Sequence, residues 1–114
     1  MTTTPRAPAD LDTAGRKLWR DILRTHDLDG RELAILHEAA RQADALDAMT
    51  KVLASVGYTT TGSAGQQRLH PAVSESRQAR LALGRLLDLL HLPDDEEPRR
   101  DRAQQRRIRR RWET

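Results

Sequence analysis

From Leu33 to Val56 apolar residues recur in steps of three and four, at Leu33, Leu36, Ala40, Ala43, Leu46, Met49, Leu53 and Val56. This run spans about seven turns of α-helix with a single narrow stripe, rich in alanine, and such a stripe requires close packing against another helix. Asp29 is placed to cap the start and Gly57 to stop the end. Helical periodicity then disappears and resumes only after Pro71, so the chain reads as mainly α with one interruption.

The interruption is GYTTTGSAGQQRLHPAV, residues 57–73. Tyr58 to Thr61 and Gln67 to Leu69 read as two short strands, joined through Gly62, Ser63, Ala64 and Gly65, which supply the backbone angles of a tight turn. The spacing therefore predicts a β-hairpin at residues 58–70. A lone two-stranded hairpin is marginal in water, so this one is expected to pair with something else.

Two further helices flank this centre. Asp12 caps a first helix running to about Thr25, with Leu18, Trp19, Ile22 and Leu23 on one face. Residues 1–11 are rich in Pro, Thr and Ala and are expected to form a disordered leader. Pro71 suits the first turn of a third helix, which is expected to continue to about Leu92 before Pro93 stops it. Seven of the twelve residues from Leu81 to Leu92 are leucine. They cover more than one stripe, so more than one neighbour must cover that helix. The expected unit is thus a three-helix domain over residues 12–93, followed by an acidic linker and an Arg-rich tail over residues 94–114.

A chain of 114 residues with 3% aromatics and no Phe must build its core from Leu, Ala, Val and Ile. Charged residues make up 32%, and the mean hydropathy is −0.77. Such a small, aromatic-poor subunit gains stability by oligomerising.

Several chemistries are excluded or disfavoured. With no cysteine there is neither a disulfide framework nor a thiolate site. No phosphate-binding loop with its lysine occurs. His26, His37, His70 and His91 lie far apart without metal-ligand spacing, and Asp94, Asp95, Glu96 and Glu97 read as a solvated linker. Ser74 and Ser76 have no base in a recognisable motif. No catalytic residue, metal or cofactor is expected. Neither a signal peptide nor an apolar run of about 18 residues is present, which points to the cytoplasm and away from a membrane.

Charge is segregated. The last sixteen residues hold Arg99, Arg100, Arg102, Arg106, Arg107, Arg109, Arg110 and Arg111 against Asp101 and Glu113, a net of +6, leaving −3 for the rest of a chain that totals +3. Arginine forks suit phosphate, so this tail is a candidate DNA-backbone contact. It also reads as a solubilising segment, or as a dock for an acidic partner protein through Ile108 and Trp112, four residues apart. Arg16, Lys17, Arg20 and Arg24 on the first helix form a second basic group, either a solvated face or a DNA surface. Trp19 reads as core. The short link HDLDG between the first two helices permits a helix-turn-helix.

Taken in order, LWRDIL, LDGRELAILHEAARQ, the long helix ending in VGY, TTTGSAGQQRLHPAV and LLDLLHLPD resemble the small subunit of phage terminase, in its P twenty-seven family. The likeness covers about residues 8 to 94. The chain departs from it at His70, where the family often has Asn before the proline, and at His91, where it often has Gly. What the resemblance implies is a non-catalytic, ring-shaped homo-oligomer in the bacterial host cytoplasm. Such a ring binds double-stranded viral DNA and presents it to the large terminase subunit, which carries the ATPase and nuclease. Hairpins from neighbouring copies would then meet and form a hub. The competing reading is a small dimeric helix-turn-helix transcription regulator, which requires a dimer and a palindromic footprint.

Overall fold

The computed structural model describes residues 4–92. Aspartates set both early helix starts. Asp12 caps α1 (Thr13–Thr25), its side chain accepting from the Thr13 N–H. Asp29 begins α2 (Gly30–Val56) with a reciprocal capping box: its carboxylate accepts from the Glu32 N–H at 2.9 Å, and Glu32 accepts from the Asp29 N–H at 2.9 Å. Glycine ends α2, because Gly57 takes φ 86 and returns its N–H to the Leu53 carbonyl at 2.8 Å.

The interruption is the expected hairpin, with β1 (Thr59–Thr61) antiparallel to β2 (Gln67–Leu69). Thr59 stands opposite Leu69, Thr60 opposite Arg68 and Thr61 opposite Gln67. His70 N–H to the Tyr58 carbonyl, at 2.7 Å, extends the pairing at the root, and Gly62 N–H to the Gln66 carbonyl, at 2.7 Å, closes the tip.

Helix α3 (Pro71–Leu90) begins with proline in its first turn, and His70 caps it by accepting the Ala72 N–H through Nδ1 at 3.0 Å. It ends two residues short of Leu92, because His91 turns into the left-handed region at φ 48 and breaks the repeat. His70 and His91 are thus both helix caps. One sits where Asn is favoured, and the other where Gly is the unstrained choice.

Both short helices run antiparallel along the long one. Gly15 of α1 meets Ala40 and Asp44 of α2, and the Trp19 ring stands edge-on to His37 with centroids 6.5 Å apart. Helix α3 packs along α2, and its buried residues, Ala72, Ser76, Ala79 and Leu90, fall on one face. Small residues at these positions, with Ala39 and Ala40 buried on α2, let the backbones approach closely. The core joins Leu11, Trp19, Leu23, Leu36, Ala40 and Leu90, with Leu18, Ile22, Leu33 and Leu87 packed around it.

Two expectations are corrected here. The leader is not free over its last residues: Leu11 is only 2% exposed and Ala7 packs on the core. The indole Nε1 of Trp19 donates to the Pro5 carbonyl at 3.0 Å. A buried indole N–H needs an acceptor, and the leader backbone supplies it. Val56, expected on the buried stripe of α2, is 58% exposed.

Val56 is the last residue of α2 and, at about 100° per residue, stands well round the helix from the face at His37, Ala40 and Asp44 that α1 contacts. At 1.5 Å per residue α2 is about 40 Å long and α1 about 20 Å, so α1 ends its cover near Asp44. Beyond that point, among the described residues, α2 has only α3 beside it, and the molecule extends to 61 × 26 × 26 Å.

Candidate nucleic-acid interface and self-association surface

Each basic residue of α1 named from the sequence is exposed: Arg16, Lys17, Arg20 and Arg24. One acid lies among them. Asp21 accepts from Lys17 Nζ at 2.7 Å and from Arg24 Nη2 at 3.2 Å, and the Lys17 hydrogen bond holds its carboxyl below the ordinary range. Among the described residues Arg16 and Arg20 make no ion pair, so this face keeps an excess of positive charge available to a polyanion. Trp19 lies on the opposite, buried side, as expected of a core tryptophan.

The helix-turn-helix expectation does not fit this arrangement. That motif sets its two helices at about 90–120°, whereas α1 doubles back so that Gly15 reaches Asp44, 29 positions away. The first two helices form an antiparallel αα-hairpin. The arginines of the tail, Arg99, Arg100, Arg102, Arg106, Arg107, Arg109, Arg110 and Arg111, lie outside the described residues, as do Ile108 and Trp112.

Two polar clasps bind the leader and α1 to α2, and neither has a sequence signal. Asp44 holds the first turn of α1, accepting the Asp12 N–H at 2.8 Å on Oδ2 and the Gly15 N–H at 2.7 Å on Oδ1. These are N–H groups that a helix start leaves without internal partners. Asp10 clasps the leader: Arg41 Nε donates to its Oδ2 at 2.7 Å, and His37 Nε2 to its Oδ1 at 2.7 Å.

The Arg41 bond first, then the His37 bond, pulls the Asp10 carboxyl below its ordinary value. A carboxyl more acidic in the folded than in the unfolded chain adds stability above its unfolded pKa, about 4, and loses it as pH falls through the lower folded value. Wild type should therefore melt above Asp10→Asn at pH 7, with the gap closing below about pH 4. Thermal melts of both chains across pH 2–8 test this, and a gap that stays constant to pH 2 rules it out.

A second kind of surface occupies the half of the molecule beyond α1. Tyr58 is 67% exposed, Leu69 59% and Leu81 58%, with Val52 and Val56 also open on α2. Both strands of the hairpin are exposed at every residue. The hairpin is expected to pair with something else, and among the described residues it pairs only with itself. Nothing in the sequence pattern marks Val52, Tyr58, Leu69 and Leu81 as a surface. Helical spacing shows which residues share a face, and it does not show where a covering helix ends.

Among the described residues no group of three or more His, Asp or Glu side chains is placed to hold a metal ion, and no helix is long and apolar enough to cross a membrane. No protein-family model, curated protein or solved structure matches the chain.

Proposed function

We propose that this chain is a non-catalytic DNA-packaging subunit of the small-terminase kind. Copies of it assemble into a closed ring, bind double-stranded viral DNA and hand it to a separate subunit carrying ATPase and nuclease activities. The observation that carries this reading is the half of the α2–α3 pair that no other described element covers. Val52, Val56, Tyr58, Leu69 and Leu81 stand exposed there, where neighbouring copies would supply the missing cover. The basic face of α1, on the half that already has its core, is left free for DNA. Sequence resemblance over about residues 8 to 94 supplies the packaging context, and the Arg-rich tail adds phosphate contacts or a dock for the large subunit.

The native mass tests the assembly, and binding tests the tail. We expect a particle of several copies that binds duplex DNA with an affinity falling steeply as salt rises. Deleting residues 99–114 should leave that mass unchanged while weakening binding to DNA or to the ATPase subunit. A monomer at micromolar concentration that ignores duplexes in dilute buffer rejects the proposal. Unchanged binding to both partners after the deletion removes only the tail from it.

A further inference from the structure

We infer that the tip of the hairpin is a finger that grips the sugar-phosphate backbone of duplex DNA, through Arg68 and Gln66 lying across Gly62. The inference rests on the reading that this chain binds duplex DNA, and it adds a contact on an element given no DNA role from the sequence.

The register builds the site. Thr60 pairs with Arg68, and the Gly62 N–H bonds to the Gln66 carbonyl, so Thr60, Gly62, Gln66 and Arg68 share one face of the ribbon. Glycine at 62 leaves that face open. A Cβ there would lie 2.7 Å from Gln66 Nε2 and 3.0 Å from Arg68 Nε, so the two side chains come together over the bare backbone. An amide and a guanidinium thus converge at one point, with Thr60 on the same face of the ribbon.

Charge selects the occupant. Residues 52–74 contain no Asp or Glu, and among the described residues Arg68 has no ion-pair partner. A guanidinium beside an amide, with no acid near it in sequence, suits a phosphate ester, to which it donates from its planar fork. A second copy of the chain fits this face less well. The apolar residues of the hairpin, Tyr58 and Leu69, sit at its root, while the tip face carries none. The ribbon therefore has an apolar base suited to neighbouring copies and a polar, cationic tip that projects beyond it. Backbone contact of this kind positions DNA without reading its sequence.

The test uses the full chain and a 20-base-pair duplex, with binding followed by fluorescence anisotropy from 50 to 300 mM NaCl. Arg68→Glu should weaken binding about tenfold at the lowest salt, and lower the log–log salt slope by about one, the share of a single neutralised phosphate. Gln66→Ala should weaken binding less and leave the slope unchanged, since it removes no charge. Native mass and melting temperature should match wild type in both, because the two side chains are exposed. Equal affinity and slope for wild type and Arg68→Glu overturn the inference while leaving the packaging reading standing. Weaker binding accompanied by a fall in particle mass also overturns it, and assigns the tip to contact between copies. Failure of the wild-type chain to bind any duplex overturns both.

Discussion

Gly15→Ala lowers the stability of the folded chain by about 1.5–5 kcal/mol, an effect set by how closely α1 lies on α2. The new Cβ would stand 2.5 Å from Asp44 Oδ2 and 2.7 Å from the Ala40 carbonyl oxygen. The carboxylate can swing aside, but only by releasing the Asp12 and Gly15 N–H groups it accepts from. The carbonyl belongs to helical backbone and cannot yield, so α1 must lift. Overpacking of this kind costs about 1–3 kcal/mol, and breaking hydrogen bonds to a charged group about 1.5–3. Against these stands the better helix propensity of alanine, worth about 1 kcal/mol. The balance is clearly destabilising. Urea unfolding of Gly15→Ala beside Gly30→Ala, whose added methyl meets nothing within 4 Å, separates the clash from propensity. The first should fall, and the second should hold or rise by up to about 1 kcal/mol. Equal midpoints for the two would show that the helices tolerate a wider gap.

The second large effect is on assembly. Changing Val52 and Val56 together to Asp should reduce the native particle to monomers, weakening association by at least about a hundredfold. These residues lie one turn apart on the part of α2 that α1 does not reach, and both are exposed in the single chain. Their replacement therefore costs the fold about 0.5 kcal/mol per site, plus about 0.3–1 kcal/mol for a carboxylate at the C-terminal end of α2. In an assembled particle the same carboxylates would be buried without partners, at a cost of several kcal/mol each. Sedimentation at micromolar concentration distinguishes the outcomes, with circular dichroism confirming that the helices persist. A particle of unchanged mass would remove Val52 and Val56 from the contact between copies and leave it to the hairpin root and to Leu81 and Leu89 on α3.

Local signals explain what can be read from the sequence. Asp12, Asp29, Gly57 and Pro71 act within one turn of their own position, and the helix and hairpin limits they mark agree with the structure to within a residue or two. His91 shows where such reading fails. Pro93 is the visible stop, yet the helix ends earlier at a left-handed residue that composition does not flag. The leader defeats it for a different reason. Its Pro- and Thr-rich composition resembles a tail, while its anchoring depends on Trp19, His37 and Arg41, 14 to 31 positions away. Of the candidate site, the basic residues of α1 are legible as charge, but the partial neutralisation of Lys17 and Arg24 by Asp21 depends on rotamers that charge alone does not fix. The convergence of Gln66 and Arg68 over Gly62 follows from strand register, which fixes pairs only once the turn is known.

The Asp44 clasp has a consequence for how the chain matures during translation. The first helix obtains two of its starting hydrogen bonds from a residue synthesised 29 positions after Gly15. At thirteen residues it is also too short to hold together well in water by itself. The first helix therefore emerges ahead of its anchor, and it must wait for the long helix to follow before it can settle.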